Sequence, residues 1–153
     1  MQKNPQQVDV LDELAGARYA LLRSYRRNGT AVHTPIWFGI ERSSVVFRTK
    51  VGPKTKRLTA RPEVELTVCD YRGRVRSGAA VFAGRATILS GGEAEQANRA
   101  LHLRYGWQWN IVPMLKIPGV TNVHEDLSVG EKLRRMRNRN VWPDSAIVRI
   151  DLT

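Results

Sequence analysis

GTAVHTPIWFGIERSSVVFRTKVGPKTKR, residues 29–57, holds two strands, the turn between them and the start of a helix. Asn28-Gly29 just ahead of it is a strong hairpin signal, because a two-residue turn needs positive φ. Ala31 to Ile40 reads as a strand interrupted by Pro35. A proline lacks the N–H of a ladder bond, so it marks an edge, a bulge or a bend. Glu41 to Ser44 is a turn, and Val45 to Thr49 is a third strand of β-branched and aromatic residues. Lys50-Val51-Gly52-Pro53 then leads into a short helix over about Lys54 to Ala60. Gly52 suits the N-cap and Pro53 the first helical position.

Upstream, Ala17 to Ser24 reads as a first strand and Arg26 to Thr30 as the hairpin turn. Residues 1–12 read as a flexible lead-in, merging into a short helix over Val10 to Gly16 that Asp9 can cap. Downstream, Pro62 ends the first helix, and Glu63 to Asp70 is a fourth strand. Tyr71 to Arg74 is a hairpin turn, and Ser77 to Leu89 a long fifth strand with Gly84 as its bulge. Glu93 to Tyr105 carries Ala94, Ala97 and Leu101 at helical spacing, and Gly106 stops it. Trp107 to Val123 is irregular and aromatic, Val129 to Asn138 a basic helix, and Ala146 to Leu152 a final strand. Residues 111–145 thus form a less regular C-terminal insertion in a single 1–153 domain. Hairpin-linked strands with two or three short helices argue for a small antiparallel barrel, α+β or mainly β.

The 153 residues are 42% hydrophobic, enough for a real core. Cys69 is the sole cysteine, so no intrachain disulfide forms, and a reducing cytoplasmic location is the simplest fit. The polar N-terminus lacks the apolar run of a signal peptide. No stretch approaches the roughly 20 apolar residues of a membrane span. Lys and Arg number 25 against 14 Asp and Glu, a formal charge of +11, which predicts an anionic partner.

The run from Thr49 to Arg57 says where that anion sits. Lys50, Lys54, Lys56 and Arg57 surround the start of a helix, whose first N–H groups point outward without intrahelical acceptors. Thr49 and Thr55 can add hydroxyl donors. Phosphate binding is the functional reading, and an exposed basic turn the plainer one. Trp37 can stack on a flat ring, though core packing is the commoner use of such a residue. The proline-bent strand Thr34-Pro35-Ile36-Trp37 can offer N–H and C=O groups to the edge of a pyrimidine-like ring. Nothing resembles a catalytic triad: Ser90 and Ser128 lack neighbouring bases in any motif. His33, His102 and His124 are scattered, with no metal spacing to Cys69. Adjacent Glu125 and Asp126 do not make a carboxylate pair. The second basic cluster, Lys132, Arg134, Arg135, Arg137 and Arg139, reads first as a solvated helix face. Few aromatics interleave with it, which disfavours nucleic acid.

The segments GTAVHTPIWFGI (29–40), VVFRTKVGPKTKRLTARPEVELTVCDYRGRVRSGAAVFAGRATIL (45–89) and HLRYGWQWN (102–110) resemble the pyridoxamine 5'-phosphate oxidase-like split-barrel superfamily. More narrowly they resemble its actinobacterial deazaflavin-dependent branch, over about residues 17–110. The resemblance implies an antiparallel split β-barrel that pairs as a homodimer. The cofactor, coenzyme F420 or alternatively FMN, lies in a groove between subunits. The lysine of the family's phosphate-binding turn falls on Lys54, followed by Thr55, Lys56 and Arg57. The strand before the turn supplies Arg48, Thr49 and Lys50. The ring-edge strand is Thr34, Pro35, Ile36 and Trp37, and Ser77 on the fifth strand faces the same groove. The loop between Thr49 and Lys54 is one residue shorter than in many relatives, which bears on Lys50 and Lys56. Trp107 and Trp109 would cover a ring from the partner subunit or pack the dimer, the substrate would sit near Trp107 or Trp142, and the cluster from Lys132 to Arg139 would attract the coenzyme's oligoglutamate tail. The implied activity is hydride transfer between F420 and a small electron-poor organic substrate. FMN chemistry and cofactor binding without turnover are the alternatives, with nucleic-acid binding the least favoured.

Overall fold

The computed structural model describes residues 11–41, 43–105, 128–131 and 144–153. Its hairpin forms where Asn28-Gly29 demands it. Gly29 has φ 88, Arg26 N–H donates to Thr30 O at 2.9 Å, and Thr30 N–H donates to the Asn28 side chain at 3.0 Å. The turn joins β1 (Tyr19–Tyr25) to β2 (Ala31–Glu41) in register from Tyr25↔Ala31 to Tyr19↔Trp37. β3 (Ser44–Lys50) follows, then α1 (Pro53–Ala60), β4 (Glu63–Cys69), β5 (Phe82–Leu89), α2 (Gly91–Tyr105) and β6 (Ser145–Leu152). The strands close into an antiparallel barrel in the order β1-β2-β3-β6-β5-β4, with β4 returning to pair with β1.

Period-two alternation sends Ala20, Leu22, Phe38, Val45, Phe47, Leu66, Val148 and Ile150 inward, where all are fully buried. Leu14, from the helical turn at residues 11–15, and Leu58 of α1 join this core. The opposite faces of β3 and β6 are covered by α2. Its Ala94, Ala97, Leu101 and Tyr105 pack on Val46 and Ile147 with Trp37 and Leu89. The helical spacing of Ala94, Ala97 and Leu101 thus marks a buried stripe.

Two expectations are corrected. β5 begins at Phe82, because Arg76–Ala79 turns (Ala79 N–H to Arg76 O, 3.1 Å) and ladder pairing with β4 starts only at Leu66↔Phe82. Ser77 is therefore exposed in that turn and is not a strand residue. Gly84 makes no bulge either: the β4 ladder runs through it without a break, and the β6 ladder starts at it in register, Gly84↔Leu152 then Arg85↔Asp151. Its missing side chain serves a close approach, since a Cβ there would stand 2.6 Å from Ile150 Cγ2 and 3.0 Å from Asp151 O. Gly84→Ala is expected to lower unfolding free energy by about 1–3 kcal/mol, as an overpacked barrel wall does. Urea unfolding of the variant measures this, and an unchanged midpoint would show that the wall accommodates the methyl.

The lead-in over residues 1–10, the Gly106 stop and the aromatic segment Trp107–Val123 lie outside the described residues. So do Lys132 to Arg139 and Trp142; of the expected basic helix, residues 129–131 are helical. No helix among the described residues is long and apolar enough to cross a membrane.

Candidate functional site

Pro35 positions the first half of the site. β2 pairs with β1 over Ala31–Trp37 but with β3 only from Phe38↔Phe47 to Glu41↔Ser44. The two strands part beyond that pair, so Thr34–Trp37 on one side and Arg48–Lys50 on the other continue past the end of their common ladder. A residue without an N–H is tolerated where a strand has one ladder neighbour. β3 keeps its other neighbour throughout: Arg48, Thr49 and Lys50 pair with Ile147, Ala146 and Ser145 of β6.

The second half is the start of α1. Gly52 N–H donates to Thr55 Oγ1 at 3.0 Å, and Thr55 Oγ1 donates back to Gly52 O at 2.9 Å. Thr55, buried, thus ties the loop to the helix, and its single hydroxyl proton is committed there. Pro53 has no N–H, so the first donors of the helix belong to Lys54 and Thr55.

Lys54 is half-buried, and burial pushes its ammonium down to about 8, with the charge of Arg57 adding to the effect. Arg57 Nε donates to the buried Ser24 hydroxyl at 3.4 Å; burial and the charge of Arg26 lower the Arg57 pKa. Among the described residues no carboxylate pairs with Lys54 or Arg57. Cations gathered this way repel one another until an anion joins them. Lys56 is exposed on the first turn of the same helix.

Lys54 gives the site a pH dependence whose sign is fixed. The unfolded chain holds this proton up to about 10.5, the folded chain only up to about 8. Unfolding therefore takes up a proton between those values, and the Lys54 contribution to stability rises with pH across the window. An anion favours the protonated amine, so its affinity falls as pH rises past about 8. Calorimetry in buffers of different ionisation enthalpy is expected to show proton uptake on binding near that pH. No uptake there would remove Lys54 from the site.

Trp37 is used for packing. Its ring stacks on Tyr105 at 5.0 Å between centroids and leans on Tyr19 at 5.9 Å. Tyr105 Oη plugs the end of the β1–β2 ladder: it accepts from Phe38 N–H at 3.1 Å, faces Phe38 O and Arg18 O, and accepts from Arg104 Nε at 3.2 Å. Burial raises its pKa. α2 thereby fixes the backbone of β2 next to Thr34–Trp37.

No known family profile matches the chain, and no curated protein matches it in sequence. Solved structures do. A pyridoxamine 5'-phosphate oxidase-related, FMN-binding protein from Nostoc punctiforme superposes with TM-score 0.60 at 17% identity, over 99% of this chain and 83% of its own. The chain shares the split-barrel fold of that protein. The heme storage protein HutZ from Vibrio cholerae shares the split barrel (TM-score 0.60, 9% identity, 99% of this chain and 92% of that one). A conserved hypothetical protein from Mycobacterium tuberculosis does too (0.60, 15%, 97% and 84%).

Within the split barrel, Thr34–Trp37, Arg48–Lys50 and Lys54–Arg57 fall along β2, β3 and the first turns of α1. Ser77 belongs to none of these elements; it is exposed in the β4–β5 turn. Burial and Asp70 push the Cys69 thiol up to about 11, which fits an inert packed residue. Among the described residues no His, Cys, Asp and Glu gather as metal ligands. Sequence reading passed over Arg26, Ser24 and Tyr105. Arg26 was legible only as a turn residue. Its place beside Arg57 depends on how α1 crosses the barrel end. Glu125, Asp126 and His124 lie outside the described residues.

Proposed function

We propose that this split barrel is an oxidoreductase that binds coenzyme F420 by its phosphate at the start of α1, with FMN as the alternative cofactor. One observation carries the reading: Lys54 is desolvated beside Arg57, which feels Arg26 in turn, and among the described residues no carboxylate pairs with Lys54 or Arg57. A phosphate fits that arrangement, because it supplies the missing negative charge and accepts from Lys54 Nζ and the helix-start N–H groups together. Arg48, Thr49, Lys50 and Lys56 are the neighbouring donors. Thr55 acts by shaping the loop. The parted backbone of Thr34–Trp37, held by Tyr105, is the surface against which a ring edge would lie.

When bound and reduced, such a cofactor supplies a hydride to an electron-poor organic acceptor. The protein's share is to hold and orient the phosphate and the ring. The FMN alternative draws on the Nostoc relative, whose name records FMN binding. Homodimer formation is part of the proposal. Val51 and Ile88, 57% and 37% exposed, line a groove of about 500 Å³ against α1, an apolar surface suited to a partner subunit.

Titrating the purified protein with F420 and with FMN, followed by tryptophan fluorescence, tests the reading. Saturable binding of at least one is expected, tighter for F420. Absence of binding by both would overturn it. Binding with no turnover of enones, quinones or nitro compounds would leave a cofactor carrier in place of an enzyme.

A further inference from the structure

The turn between β4 and β5 lies against the strand that the reading above sets beside the ring. A Cβ on Gly73 would stand 3.4 Å from Pro35 Cγ and 3.5 Å from Leu21 Cδ1. β4 and β2 are not neighbours in the barrel. β1 runs between them, and its Leu21 pairs with Thr67 of β4 on one side and with Pro35 of β2 on the other. The turn that leaves β4 therefore folds back across β1 and meets β2. It meets the outer face, because Ile36 and Phe38 belong to the core and alternation turns Pro35 away from it. Gly73 has φ 81, so its conformation and the close approach both call for a residue without a side chain. Asp70 holds the turn in shape. Gly73 N–H donates to Asp70 O at 2.9 Å and Asp70 N–H to Arg74 O at 3.0 Å. Asp70 Oδ1 accepts from the Arg72 and Arg74 N–H groups, each at 2.9 Å, and Asp70 Oδ2 from Arg74 Nε at 2.8 Å.

Thr34–Trp37 is a stretch that gains from such a brace. It keeps β1 as its ladder neighbour but has parted from β3, whose pairing with β2 ends at Phe38↔Phe47. Tyr105 holds the strand just past Trp37, through Phe38 N–H. At Pro35 the contact is with Gly73. We propose that Gly73, with Asp70 behind it, is a positioning residue of the ring site, setting through Pro35 where the N–H and C=O groups of Thr34–Trp37 stand. The inference rests on the reading of Thr34–Trp37 as the ring-edge strand and adds the β4–β5 turn to that site. Gly73 touches neither cofactor nor substrate; it acts through Pro35. A turn that only stabilised the barrel would leave cofactor affinity alone, which separates the two roles.

The test follows F420 and inorganic phosphate separately, by calorimetry on the full chain. Gly73→Ala is expected to weaken F420 roughly five- to tenfold, because the added methyl pushes on Pro35 and displaces its strand. Affinity for inorganic phosphate, which needs only the head of α1, should stay within about twofold of wild type. Gly73→Asn accepts the positive φ and still carries a Cβ, so it gives the same loss with less destabilisation. Gly84→Ala, which crowds Ile150 instead, lowers stability and leaves F420 affinity unchanged. In a Pro35→Ala background, Gly73→Ala should weaken F420 by less than about twofold, since the ring that it crowds is gone. Unchanged F420 affinity in both Gly73 variants overturns the inference. So does an equal loss in Gly84→Ala, an equal loss of phosphate binding, or a full loss in the Pro35→Ala background. Wild type that binds neither F420 nor FMN removes the ring-site reading itself.

Discussion

Lys54→Met is expected to weaken the binding of both F420 and FMN by about 10- to 150-fold, or about 1.5–3 kcal/mol, the worth of a hydrogen bond to a charged group. Methionine keeps the unbranched stem and removes the charge. The loss therefore reports the ammonium and not the packing of α1. The same substitution removes a desolvated cation from the unliganded protein, so its unfolding midpoint should hold or rise near pH 7. Weaker cofactor binding together with undiminished stability is a signature that a merely structural lysine does not give. Isothermal calorimetry and urea unfolding on the same preparation measure the two. Unchanged affinity would remove Lys54 from the site.

Leu58→Ala is expected to cost about 2–5 kcal/mol of stability. Leu58 is 1% exposed and is the residue by which α1 enters the barrel core, among Leu22, Phe38 and Phe47. Truncation leaves a cavity under the helix that carries Lys54 and Arg57. A modest fall in cofactor affinity should accompany the loss of stability, with the proton uptake near pH 8 retained. Denaturant unfolding with an unchanged slope would confirm a packing loss. A loss below about 1 kcal/mol would show that α1 is anchored by other contacts.

Most of the barrel was legible because its signals are local. Asn28-Gly29 sets the first hairpin, alternation sets β3 and β4, and Gly52-Pro53 starts α1. The failures share a physical cause. The run from Ser77 to Leu89 keeps a strand-like composition, yet β4 pairs with it only from Phe82. Ladder pairing ends a strand there, and composition carries no record of it. Gly84 invited a bulge because a lone glycine in a strand does so. What it serves is contact with Ile150, far away in the chain. Trp37 left two uses open until its partner Tyr105 was placed. In the site, the cations could be read as a cluster around a helix start. The bond of Thr55 to Gly52 is local to the helix start, whereas the desolvation of Lys54 and the approach of Arg26 are tertiary, and only coordinates display them.

A crystal structure of the protein soaked with F420, or with FMN in its place, bears most directly on the anion proposed at the head of α1. The expected density puts a phosphate within hydrogen-bonding distance of Lys54 Nζ and the Lys54 and Thr55 N–H groups, with the ring running toward Thr34–Trp37. A ring bound elsewhere, with no phosphate beside Lys54, would contradict the account.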